Sequence, residues 1–389
     1  MYIAHIANSL TLSQTVFNQM VYQREKGHRV VALCPEDQWS RPIRYKDIEV
    51  IHVPFLLHDA KASMTSALLR TYSVCREKKF DVVHTHTLLP GIAGRIGARF
   101  AGVPCVVHTF HSWPPHLYKS LAFRWGFYAS EIVAAHSAHG VLFQNPDDLD
   151  CWNKIPAVPT RKATLVGNGI DFSAITKKAE LGAREKIRKE FDIHDDDYVI
   201  ANVARFEPQK GHSFLLQAVK HLIPQVNRRI VLLLVGSGNE QEKIEAEVKQ
   251  LGLQEKVRFA GYRQDVPNLL VASDVSVMTS HYEGIPRALM ESMALGLPVV
   301  ATDVPGTRSL ILPDRTGFLI KYDDISGFSS ALVQLMTDPS LARRLGQKGK
   351  DLVQHEFNEF VVADRVEEIY NHILQKKSGT LPHWTLDAG

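Results

Sequence analysis

Cysteine is scarce and scattered. The 389-residue chain has four, Cys34, Cys75, Cys105 and Cys151, with no Cys-x-x-Cys pair among them, which excludes a disulfide framework and a cysteine-built zinc site. Three of them stand within or beside apolar runs, where a thiol behaves as a small hydrophobe. No stretch reaches the roughly 18 apolar residues that a membrane-crossing helix needs. The opening MYIAHIANSL lacks the basic n-region and long apolar h-region of a secretory signal, so a cytoplasmic protein is expected. No internal repeat and no low-complexity segment is present. A net charge of +3 gives no reason to expect a nucleic-acid partner.

The chain is 45% hydrophobic and 22% charged, enough for real cores, and its length calls for two domains. Residues 1–175 hold 18 Lys/Arg against 13 Asp/Glu, leaving 27 against 29 in the remainder. That basic bias reads either as a solvated surface or as a contact with an anionic partner, such as a lipid headgroup or a diphosphate-linked acceptor. Near-continuous apolar runs (YIAHIA, RVVALCP, IEVIHVP, DVVHTH, CVVHTF, GVLFQN) suit parallel strands buried on both faces. Helical stretches such as SALLRTYSVCREKK and GIAGRIGARFAG lie between them. A second series follows, VIANVAR, RIVLLLVG, VRFAG, DVSVMTS and PVVATD. The fold class is therefore α/β, two Rossmann-like doubly wound domains facing a central cleft. The expected domains are residues 1–173 and 185–360, with a last helix at about 361–377 packing back on the first; the tail SGTLPHWTLDAG reads as disordered or loosely attached.

Ligands in such sheets bind beyond the carboxyl ends of strands. After VIANVAR comes Arg205-Phe206-Glu207-Pro208-Gln209-Lys210-Gly211. Two cations at a strand-to-helix turn suit a diphosphate, although surface cations are common there. Gly236 and Gly238 end the next strand and mark a close-approach turn or a purely conformational one. The segment Glu283-Gly284-Ile285-Pro286 opens a helix containing Glu291. Pro286 suits its first turn, and eight residues, about two turns, let both carboxylates face one side. Carboxylates there accept hydrogen bonds from sugar or ribose diols; the plainer alternative is a helix-dipole carboxylate and a solvent-facing one.

The combination R-x4-K and E-x7-E with G-x-P inside it resembles the signature of family-4 retaining glycosyltransferases of the GT-B fold, especially those of bacterial surface-polysaccharide assembly. NVARFEPQKGH, LLVGSGNE, VRFAGYRQDV, EGIPRALMESMALGLPVVATDVPG and TGFLI are similar to successive blocks of that family's donor domain. The resemblance implies that Arg205 and Lys210 neutralise the donor diphosphate and stabilise its departure. It also implies that Glu291 binds the ribose hydroxyls, that Glu283 with the Gly284 and Ile285 amides holds the transferred sugar, and that Arg263 lies beside the base. It implies no metal and no cofactor, the nucleotide sugar being a substrate. A UDP-sugar is favoured as donor, GDP-mannose second. The acidic HDDDY at 194–198 reads as a solvated turn rather than a metal site.

In CVVHTFHSW, His111 matches the family's strand-end histidine, implying contact with the donor sugar's 6-hydroxyl or backbone; His108 lies within the strand. His86 ends the preceding strand on the acceptor side, and Asn168 turns the chain toward a hinge at Gly167–Asp171. The first loop, Asn8-Ser9-Leu10-Thr11-Leu12-Ser13, departs from the family's adjacent glycines, which leaves the amides around Leu10 and Thr11 to reach the cleft. The aromatic and basic stretch from Trp113 to Tyr128 reads as a peripheral contact with the anionic inner membrane face or as a core-packed helix, and a hydroxyl acceptor, lipid-linked or small, is expected. Rival readings are a nucleotide-sugar epimerase of the same architecture and a non-catalytic scaffold subunit paired with an active transferase.

Overall fold

The computed structural model describes residues 1–44, 46–55, 64–112, 120–376 and 380–384. The chain divides into two compact units, Met1–Asn168 joined by the segment that begins at Glu359, and Gly169–Asn358.

The N-terminal unit is a parallel sheet of seven strands: β1 (Tyr2–Ile6), β2 (Arg29–Cys34), β3 (Glu49–His52), β4 (Val82–His86), β5 (Cys105–Phe110), β6 (Gly140–Phe143) and β7 (Ala163–Leu165), in the order β3-β2-β1-β4-β5-β6-β7. Its apolar runs are buried on both faces, as parallel strands require. Ala4, Ile6, Val83 and Val106 face Ala67, Val74 and Cys75 of the helix Met64–Lys78 and Ala93 and Ala98 of the helix Leu88–Phe100. Ile3, Val82, Cys105 and Val107 face Val366, Ile369 and Tyr370 of the last helix, Glu359–Leu374. The described part of the tail, residues 380–384, differs from its expected looseness. Leu381 and Trp384 pack into that same cluster, and the Thr164 hydroxyl donates to the Pro382 carbonyl over 2.6 Å. Burial of these two apolar side chains, with that hydrogen bond, offsets part of the freedom the backbone loses.

The C-terminal unit repeats the plan with β8 (Tyr198–Val203), β9 (Ile230–Val235), β10 (Val257–Gly261), β11 (Val275–Met278), β12 (Val299–Thr302) and β13 (Phe318–Ile320), all parallel, in the order β10-β9-β8-β11-β12-β13. Ile200, Leu232, Leu234 and Val277 pack on the helices His212–Leu222 and Ile325–Thr337. Val199, Val231 and Leu233 cover the opposite face with Ile187 and Leu269. The charged stretch after residue 171 forms two helices, Phe172–Lys178 and Ala183–Glu190. The acidic turn is also more ordered than a solvated loop. Arg188 donates to the carbonyls of His194, Asp195 and Asp197, and the Asp197 carboxylate is buried, accepting from the His194 amide.

In each unit the strand order reverses beside the unit's first strand, between β1 and β4 and between β8 and β11. Those two switch points are where a sheet of this kind opens a crevice for ligand.

Candidate active site

Apart from Arg263, the residues expected on the donor side lie in or beside the loops that follow β8, β9 and β11. β8 ends at Val203, and the next turn is pinned to the loop after β9: Phe206 donates its amide to the Ser237 carbonyl (2.9 Å) and accepts from the Glu240 amide (2.9 Å). The two backbones lie so close that a Cβ on Gly236, whose φ is +144°, would stand 2.0 Å from the Ala204 carbonyl oxygen; one on Gly238 would stand 2.4 Å from that of Phe206. These glycines therefore build the platform under Arg205. The Phe206 side chain is the buried anchor, which leaves Arg205 outside, its guanidinium 67% exposed and paired with Glu207 at 2.5 Å.

One 3₁₀ turn later, Lys210 Nζ lies 2.6 Å from Glu283 Oε1, with side-chain exposures of only 13% and 10%. The Ser280 hydroxyl donates to the same oxygen over 2.6 Å. Around this pair the two loops are bonded to each other: Gln209 to the Tyr282 carbonyl (2.9 Å), the His281 amide to Gln209 (2.8 Å), and the Thr279 hydroxyl to the Lys210 carbonyl (3.0 Å). Such a frame fixes the cation and the carboxylate before any ligand arrives. Gly284 and Ile285 follow, then Pro286 as N-cap of the helix Arg287–Ala294, on which Glu291 is half-buried. Gly306, with φ +84°, supports this turn from below; a Cβ there would fall 1.2 Å from the Gly284 carbonyl oxygen, so no larger residue fits.

Arg263 is placed differently from the rest. It follows β10, an edge strand two places from β8. Its guanidinium is held bidentately by Asp265 (2.8 Å twice) and again by Glu190. The fork is thus engaged within the C-terminal unit.

In the N-terminal unit the glycine-free first loop folds into a short helix, Ser9–Gln14. The Thr11 amide is donated to the Asn8 side chain over 2.7 Å, an N-cap bond, so it does not point out for a ligand as the sequence suggested. Leu10 is exposed beside it. Asn168 ends the unit, and the following Gly169 carbonyl accepts from Arg287 (2.9 Å). His86 is buried at the end of β4, and His111 lies one residue beyond β5. Both ring nitrogens of His111 are engaged, Nε2 with His86 Nδ1 (3.2 Å) and Nδ1 with the Gln144 amide (3.0 Å). Burial pushes His111 down to about 4, so the ring is neutral at pH 7. Among the described residues, His5, His84 and His86 form the one histidine group with nitrogens close enough for a metal ion. Residues 113–119, expected at a membrane interface, lie outside the described residues.

Ser280, Gly306, Gln23, His5 and Gln144 were not singled out from sequence. The alternate histidines of DVVHTH signal a polar strand face, but nothing in that pattern points to Gln23 or Gln144.

The geometry agrees with the relatives. The family model for glycosyl transferases group 1 matches residues 183–352, and that for glycosyltransferase family 4 matches residues 12–174. The chain is 31% identical over 318 residues to the UDP-Gal:alpha-D-GlcNAc-diphosphoundecaprenol alpha-1,3-galactosyltransferase of Escherichia coli, covering 80% of each chain. It is 25% identical to the capsular polysaccharide biosynthesis glycosyltransferase CapM of Staphylococcus aureus, over 87% of this chain and 90% of that one. Its fold is similar to Anabaena Alr3699/HepE, solved in complex with UDP, with a TM-score of 0.81 at 18% identity, covering 95% and 99% of the two chains. Two parallel Rossmann-like sheets with this pattern define the GT-B class of glycosyltransferases. The chain belongs to it as a group 1 glycosyltransferase of family 4.

Proposed function

We propose that the protein transfers a hexose, with retention and without a metal, from a UDP-sugar to a hydroxyl of a lipid-linked acceptor. The observation that carries this is the bonded pair of loops at the β8/β11 switch point, which holds Lys210 against Glu283, with Arg205 five residues earlier in the same loop. Arg205 and Lys210 neutralise the diphosphate in place of a cation. As the bond from C1 to the diphosphate oxygen breaks, charge grows on that oxygen, and fixed cations stabilise it most at that moment. The acceptor oxygen attacks the face the diphosphate leaves, and its proton passes to the departing phosphate. Glu283 with the amides of Gly284 and Ile285 holds the transferred sugar, Glu291 holds the ribose, and His111 meets the sugar near its 6-hydroxyl.

The donor preference is supported by the E. coli relative, named for UDP-galactose, and by the neighbour solved with UDP. The lipid-linked acceptor is supported by the diphosphoundecaprenol in that relative's name. A peripheral membrane contact is supported by the helix Leu121–Ser137, which exposes Leu121, Trp125 and Val133 along one stripe, beside Arg124. No helix among the described residues is long and apolar enough to cross a membrane. One reaction tests the reading: the protein, a UDP-hexose and a diphosphate-lipid acceptor in anionic vesicles, floated and then analysed by NMR. The expected result is protein in the vesicle fraction and a product whose anomeric configuration matches the donor's. An inverted product would overturn retention, and an epimerised nucleotide sugar without transfer would overturn the transferase reading.

A further inference from the structure

Five side chains of the N-terminal unit form a single hydrogen-bonded row. β1 and β4 pair in register with His5 opposite His84, and His86 lies two residues on, so these three rings share one face of the sheet. Gln23, buried on the helix Phe17–Glu25, lies with Oε1 2.8 Å from His5 Nε2. His5 Nδ1 is 3.2 Å from His86 Nε2, His86 Nδ1 is 3.2 Å from His111 Nε2, and His111 Nδ1 is 3.0 Å from Gln144 Nε2.

With the Gln23 and Gln144 amides oriented as they stand, the row permits one assignment of protons. A neutral imidazole has one N–H and one bare nitrogen, and a carbonyl oxygen only accepts. Gln23 Oε1 therefore receives the proton of His5 Nε2, which leaves His5 Nδ1 bare. His86 Nε2–H donates to it, which leaves His86 Nδ1 bare for His111 Nε2–H. His111 Nδ1 is then bare, and Gln144 Nε2–H donates to it. The two amides at opposite ends agree on this direction, and every imidazole nitrogen in the row is satisfied without an ion. His84 is satisfied separately, by the Tyr370 hydroxyl at 2.6 Å and the Thr109 hydroxyl at 2.7 Å. A metal ion among His5, His84 and His86 would have to displace at least the His5–His86 bond.

We propose that Gln23, His5 and His86 are positioning residues which, with Gln144, lock His111 as the neutral Nε2–H tautomer in one ring orientation. His111 is then no general base: both nitrogens are used within the unit, and it offers the sugar a fixed ring edge and main chain. The inference rests on the reading that His111 meets the transferred sugar. Burial agrees with the neutral row, holding His5 and His111 down to about 4 and His86 well below its usual range.

The test uses the whole protein labelled with 15N-histidine, its rings assigned by single substitutions. Long-range proton–nitrogen spectra at pH 7 are expected to show His5, His86 and His111 each with a protonated Nε2 and a bare Nδ1. His86→Leu is expected to lower kcat about tenfold, the scale of a lost positioning contact, and to leave nucleotide affinity unchanged. His86→Gln, which can donate and accept at once, is expected to restore most of that loss. An Nδ1–H tautomer or an imidazolium in the row at pH 7 would overturn the proposal. So would folded His86→Gln no faster than His86→Leu, or stoichiometric Co2+ binding that His86→Leu abolishes. The spectra decide the tautomers even if wild type transfers nothing, a result that would instead overturn the transferase reading.

Discussion

Lys210→Ala is expected to lower kcat by about 10²–10³-fold, the range for removing one preorganised donor from a developing negative charge. The same change is expected to destabilise the C-terminal unit by about 3 kcal/mol, because it strands a carboxylate that is nearly buried. Glu283 would keep the Ser280 hydroxyl and lose the Lys210 ammonium, now at 2.6 Å. The two losses separate in a double variant. Lys210→Met with Glu283→Gln removes both charges, so melting should recover while transfer stays lost. Arg205→Ala gives the contrasting pattern. Its guanidinium is 67% exposed, so folding should be unaffected within about 0.5 kcal/mol, whereas transfer should fall. Steady-state kinetics beside melting curves check all three. Equal loss of stability in Arg205→Ala would mean that the loop needs its cation for folding.

Acid is expected to unfold the N-terminal unit first. His5, His111 and His139 are held to about 4 by burial, and His84, His86 and His108 are also lowered; in the C-terminal unit the corresponding histidine is His212. In the unfolded chain each takes up a proton near 6.5, and in the folded chain only well below that. Between those values the unfolded state carries more protons, so stability falls as pH drops. The slope is about 1.4 kcal/mol per pH unit for each histidine involved. The stability is fully present above pH 6.5 and is lost from there downward. Urea melts at pH 7 and pH 5.5, read by fluorescence and by proteolysis of each unit, check it. His5→Gln should make the slope shallower by about one proton. Equal sensitivity of the two units would contradict the assignment.

The elements that sequence made legible are those carried by local pattern. Parallel strands such as RIVLLLV show as unbroken apolar runs because both faces are covered, and Arg205, Lys210, Glu283 and Glu291 show because their spacing is linear. What stayed hidden depends on contacts between distant positions. Lys210 and Glu283 are 73 residues apart in sequence, and their pairing follows only from β8 lying beside β11. Gly306 reads as an ordinary turn glycine until its backbone is seen against Gly284. The histidine row draws on β1, β4, the end of β5 and two further segments. Local chemistry also hides in sequence: Asn8 turns the Thr11 amide inward as a cap, and Asp265 with Glu190 engages the Arg263 guanidinium from two separate segments.

The central claim is that the loops after β8 and β11 hold a nucleoside diphosphate. Thermal shifts with UDP, GDP, ADP and dTDP test it without any knowledge of the acceptor, on wild type and on Arg205→Ala with Lys210→Ala. A ligand at 100 times its dissociation constant adds about 2.7 kcal/mol of stability. The expected result is a clear shift with UDP on wild type that the double variant loses. No shift with any nucleotide, or an equal shift in the double variant, would contradict the account at its centre.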